Sequence, residues 1–154
     1  MRDLVKKNRI APILGVLLLG LIVATVGCTA LGTRGEALQA EMLQQVEEEW
    51  GVRPVAVRLT GAGHFIDFRI RVTDPEKAKE VLNRNHKAYL VDDLSGKVLP
   101  VPMTKLGPLR GSDMMPKKDR TYVILFQNVE RILHAGSKVS VVIGDFEARG
   151  LIVS

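Results

Sequence analysis

Three methionines, Met103, Met114 and Met115, stand in one segment rich in proline and glycine, PMTKLGPLRGSDMMPKK (102–118). Thioethers are soft ligands suited to copper(I), so a methionine loop completed by one imidazole makes a credible copper site in an oxidising compartment. His64, His86 and His134 are the only histidines, and no two have the spacing of a local ligand pair. The candidate metal set is therefore Met103, Met114, Met115 and His64. Its competitor is plain packing: methionine fills irregular gaps, and Met103, preceded by Pro102, suits a side chain that pins the loop to a core.

A second concentration of polar groups is GHFIDFRIRVTDPE (63–76). Asp67 and Glu76 have the chemistry of an acid–base pair, but Asp67 alternates with apolar residues and belongs on a solvent face rather than in a site built for acid–base work. His64 is in phase with Ile66 and Phe68, which predicts an inward imidazole at the mouth of a strand, bonded to a loop carbonyl or water. Arg58, Asp67, Arg69 and Arg71 share the outer side. They predict a cross-strand charge ladder, with a docking patch for an acidic partner as the other use. No phosphate-binding loop, nucleophile elbow or paired-histidine zinc motif occurs, and Gly61-Ala62-Gly63 reads as a turn. No catalytic residue and no cofactor is assigned, and the chain is expected not to be an enzyme.

The elements that must position these residues follow from periodicity. Val55, Val57 and Leu59, then Ile66, Phe68, Ile70 and Val72, alternate with polar residues, the pattern of strands with one buried face. Asp74-Pro75-Glu76 opens a short helix, with Asp74 as N-cap and Pro75 at the first helical position. Further strands are predicted at 86–92 and 97–101 around an Asp-Leu-Ser-Gly turn, and at 121–127, apolar on both faces as in a central strand. Two more, 139–143 and 146–153, flank Gly144-Asp145, a two-residue hairpin signal. That makes about seven short strands, the count of an immunoglobulin-like antiparallel β-sandwich. The expected fold is mainly β, preceded by an N-terminal hydrophobic helix and a short amphipathic helix.

Before the sandwich come two segments of different character. Ile10 to Thr33 contains no charged residue. As a helix it would span roughly 36 Å, enough for a bilayer core. Arg2, Lys6, Lys7 and Arg9 precede it and only Arg34 closely follows, which orients the N-terminus to the cytoplasm and the rest outside. Residues 35–50, GEALQAEMLQQVEEEW, carry Leu38, Met42, Val46 and Trp50 as an apolar stripe, and Gly51 is the predicted stop. The organisation predicted is 1–33 membrane anchor or lipoprotein signal, 34–50 acidic helical stalk, and 51–154 β-sandwich domain.

Charge and cysteine usage narrow the class. The net charge of +5 combines a basic leader, a stalk with five acids against one base, and a domain whose bases are interleaved with acids. With aromatic residues at 5%, nucleic acid is not the expected partner. The single cysteine, Cys28, excludes an internal disulfide. Its context, Ala-Thr-Val-Gly-Cys, resembles the lipobox of bacterial lipoproteins, although Thr25 stands where leucine is usual and the apolar run continues to Leu31. Lipidation at Cys28 is thus the alternative to an uncleaved spanning helix, and either tethers the domain to the membrane.

The stretches GHFIDFRIRVTDPEKAKEVL, KAYLVDDLSGKVLPVP and KVSVVIGDFEARGLIV resemble a group of small, uncharacterised bacterial envelope proteins, with DFRIRVTDPEKA as the most specific part. The resemblance covers most of 50–154 and implies an exported, membrane-anchored β-domain. It brings no established activity and gives no residue a role. The function expected is that of a binding or scaffold accessory module for another envelope protein, contacted through a sheet edge or the 102–118 loop. The alternative is copper binding or delivery by the methionine loop.

Overall fold

The computed structural model describes residues 30–154, with side chains from Arg34 onward. The anchor or signal expected over 1–33, including Cys28, lies outside the described residues. Among those described, no helix is long and apolar enough to cross a membrane. The chain divides after Leu38, and Gln39–Ser154 forms one compact unit.

Helix α1 (Ala30–Trp50) ends where expected. Gly51 has φ +63° and donates its N–H to the Glu47 carbonyl at 2.9 Å. From Gln39 on, this helix is part of the compact unit. Leu43, Val46 and Trp50 pack on the core, Trp50 meets Phe146 edge-on at 6.0 Å, and Gln39 Nε2 donates to the Gly150 carbonyl at 3.0 Å. Met42 remains exposed, so from Gln39 on the contact stripe is rotated from the one read in the sequence.

Nine strands follow: β1 (Val52–Thr60), β2 (Phe65–Val72), β3 (Ala88–Asp92), β4 (Val98–Pro100), β5 (Met103–Thr104), β6 (Gly107–Pro108), β7 (Thr121–Gln127), β8 (Lys138–Ile143) and β9 (Phe146–Ile152). Helix α2 (Pro75–Leu82) separates β2 from β3. The sheets are antiparallel, in the orders β1-β2-β7, β4-β3-β8-β9 and β5-β6. Seven strands make the two larger sheets, and both contribute to one apolar core, with Phe68 and Phe126 from one and Leu90 and Phe146 from the other. Ala78, Val81 and Leu82 of α2 complete it. Asp74 caps α2 as predicted, its Oδ1 accepting from Glu76 N at 2.9 Å.

Three local expectations are corrected. Val55 is exposed, because a register shift between Pro54 and Ala56 slips the alternation of β1 at that point. Strand β7 lies at one side of its sheet rather than centrally, and its burial alternates. Its outer edge is met by residues 109–111: Leu125 N donates to the Leu109 carbonyl at 3.0 Å and Gly111 N to the Val123 carbonyl at 2.6 Å. Asp67 is only 8% exposed, although it belongs to the outer side of β2. Arg69 donates to it at 2.8 Å and Arg58, opposite in register, reaches it at 3.6 Å. The arginines roof the carboxylate, which is the predicted charge ladder. With both guanidinium groups over 40% exposed, solvent screens the ladder and it adds little beside the core.

Candidate functional site

The segment 102–118 is long but not loose, because its backbone is tied at successive points. Leu109 N donates to the Pro102 carbonyl at 2.9 Å, closing the β5–β6 hairpin from behind. Inside it, Thr104 Oγ1 accepts from Leu106 N at 3.2 Å and donates to the Gly107 carbonyl at 2.8 Å. Arg110 bridges to Ile124 of β7, and Asp113 N donates to the Leu82 carbonyl at 3.2 Å. Asp113 closes the segment: Oδ1 accepts from Met115 N at 2.9 Å and Oδ2 from the Tyr122 hydroxyl at 2.7 Å. These bonds hold its carboxyl below the usual carboxylate range, the Met115 N–H contributing most. Burial, then the Asp113 contact, pushes the Tyr122 phenol up.

This frame turns large apolar side chains outward. Met103 is 75% exposed, Leu106 93%, Met114 82% and Met115 79%. Methionine as a gap-filler is therefore not the role of Met103. Four large apolar side chains thus stand in water on a backbone that is itself hydrogen-bonded into place.

Arg110 supports the segment from beneath. It is 9% exposed, and its guanidinium donates to the carbonyls of His86 (2.8 Å), Val81 (2.9 Å) and Asn83 (3.3 Å). Those carbonyls belong to the C-terminal turn of α2 and the chain just after it, where oxygens lack partners within the helix and a cation is favoured. Its Nε is buried without a partner. Above it lies a cleft of about 430 Å³, lined among others by Arg84, His86, Lys87, Tyr89 and Met103. That volume is at the small end of ligand-sized cavities, which run from roughly 300 to 1,000 Å³. Among the described residues no acidic one lines it. Arg84 also borders an adjoining depression containing Asp113 and Met114, and its Nε donates to Ser112 Oγ at 3.1 Å. His86 is held by the Glu80 carbonyl, 3.0 Å from Nδ1, and packs against Gly144, where a Cβ would come within 2.9 Å.

The metal set read from the sequence is not brought together. Met103 faces the cleft beside His86, and Met114 lies by Asn83 and Arg84. His64 sits in the turn between β1 and β2, exposed rather than inward. Asn128 fastens that turn through the backbone, its Nδ2 bonding the Gly63 carbonyl at 2.9 Å and its N–H the His64 carbonyl at 2.8 Å, which leaves the imidazole outside. Asn128 follows the last residue of β7, whereas Asp113 bonds Tyr122 at the other end. One strand length, roughly 20 Å at 3.4 Å per residue, separates His64 from the Met114 region. Among the described residues no three His, Cys, Asp or Glu side chains gather as a metal site.

Arg84, Lys87 and Arg110 were not singled out by sequence. Their only signal is an arginine between Leu109 and Gly111 in a largely apolar loop, and a cation there does not announce that it caps a helix distant in the chain. No family model, curated protein or solved structure matches the chain.

Proposed function

We propose that the chain is a membrane-tethered extracytoplasmic β-sandwich acting as a binding or scaffold accessory module for another envelope protein, and that it docks through the face built by 102–118. The observation that carries this reading is the set Met103, Leu106, Met114 and Met115, exposed on a backbone that is itself hydrogen-bonded into place. The sheet edges are poorer docking sites. The Gln39 side chain covers Gly150 of β9, Ser154 bonds Val57 and Leu59 of β1, and 109–111 lines β7. Strand β4 is three residues long and ends in Pro100, which has no N–H to extend a ladder.

The immunoglobulin-like reading is supported by strand order. Lettering the seven strands of the larger sheets in chain order gives A-B-E and D-C-F-G. This differs from the constant-type arrangement only in that D pairs with C. Folds of this kind host many functions, so the docking face rather than the topology carries the proposal.

The test is photo-crosslinking in intact membranes from a reactive residue at Leu106 or Met115, with Leu94 as control because it is equally exposed but outside the segment. One protein, identified by mass, is expected from both loop positions and not from position 94. No adduct, or the same adduct from all three positions, would sink the reading.

A further inference from the structure

A buried guanidinium normally has a carboxylate beside it, because removing a charge from water is costly unless an opposite charge compensates. Arg110 has carbonyls instead, and among the described residues no carboxylate lies within ion-pair distance of it. Burial and the nearby charge of Arg84 both lower its proton affinity, burial the more strongly. Guanidinium nevertheless stays charged in proteins, and here carbonyl dipoles rather than a carboxylate offset that charge. Lys87 adds a third cation to the same cleft, and the nearest acid on α2, Glu80, is placed against His86 at 3.8 Å and does not line it. Apart from Asn85 and His86, the rest of the wall is apolar or aromatic, including Tyr89, Val101 and Met103.

We infer that this cleft receives a carboxylate side chain carried on an apolar segment of a polypeptide partner. The anion takes its place among Arg84, Lys87 and Arg110, and the flanking apolar residues lie along Tyr89, Val101 and Met103. The inference rests on the docking reading above and names the chemistry of what docks. A single negative charge suits the site, since the apolar wall makes desolvating a doubly charged group more costly. Met103 belongs both to the cleft and to the exposed apolar face, so one bound segment covers the two.

Two labelled peptides test it by anisotropy on the full chain: acetyl-Leu-Glu-Phe-Leu amide and its counterpart with glutamine for glutamate. The glutamate peptide is expected to bind saturably and the glutamine peptide about tenfold more weakly, the difference a charge-assisted bond makes. Arg84→Gln with Lys87→Gln is expected to remove that preference at unchanged melting temperature, since both side chains are exposed. This pair is the decisive variant, because Arg110→Gln would also uncap α2. Equal binding of the two peptides overturns the inference. Binding of octanoate at the same residues without binding of the glutamate peptide also overturns it, in favour of a free small acid. Crosslinking from Leu106 and Met115 separates the two readings: a surviving adduct with no glutamate preference discards the carboxylate anchor alone, whereas absence of the adduct in the wild type discards docking itself.

Discussion

Asp113 fastens the C-terminal end of the methionine segment. Its carboxylate ties Met115 to Tyr122, and its pKa is held down by those donors. A depressed folded-state pKa contributes stability that is complete above the unfolded value, about 3.9, and is lost as pH falls through the folded value. The stability difference between wild type and Asp113→Asn is therefore expected to be constant from neutral pH down to about pH 4 and to shrink below it. Urea titrations at a series of pH values check this. A gap that closes well above pH 5 would show that another group governs the tie. The residue scale is also where sequence reading is weakest. The ladder of Arg58, Asp67 and Arg69 follows from alternation, but the solvent coverage of Asp67 depends on how two arginines fold over it.

At the scale of elements, the junction between α1 and β1 shows why a stop signal was legible while its tertiary consequence was not. Gly51 ends the helix with a positive φ, as its position after Trp50 predicts. It also lets α2 approach: a Cβ there would lie 2.5 Å from the Asp74 carbonyl oxygen and 2.9 Å from Lys77 Cβ, and the Gly51 carbonyl accepts from Thr73 N and Asp74 N. Gly96 has a similar φ, +70°, with nothing within 4 Å. Gly96→Ala is expected to cost about 1 kcal/mol, the backbone penalty alone. Gly51→Ala is expected to cost about 2 kcal/mol more, because backbone must also shift. Equal losses in denaturant titrations would mean that the α2 contact has no energetic weight.

At the scale of the whole molecule, the acidic helix from Gln39 on is packed into the body of the compact unit. Trp50 is the only tryptophan, and it packs edge-on against Phe146, a fully buried residue of the four-stranded sheet. If both sheets and the helix from Gln39 share one core, Trp50 fluorescence and far-ultraviolet circular dichroism should report one coincident transition in denaturant. Phe68→Ala, which empties the other sheet's share of that core, is expected to lower stability by about 3–5 kcal/mol and to move both signals together. A fluorescence transition that precedes the loss of strand signal would make α1 an independent stalk.

The amino-acid order by itself determined the elements: a stop at Gly51, a cap at Asp74, a hairpin at Gly144-Asp145, and strands whose period of two marks an inner and an outer face. These rest on local backbone sterics and on the short reach of alternation, so they are written into adjacent residues. Only the tertiary structure decided that β2 lies between β1 and β7, that β3 pairs with β4 and β8, and that Arg110 reaches back to carbonyls 24 to 29 residues earlier. Those pairings are selected by the fit of whole faces to one core, a property no short window carries. The same holds for the methionines: sequence placed three soft side chains in one loop, and the fold separated them from His64 and set Met103 on the rim of a cleft lined by three cations.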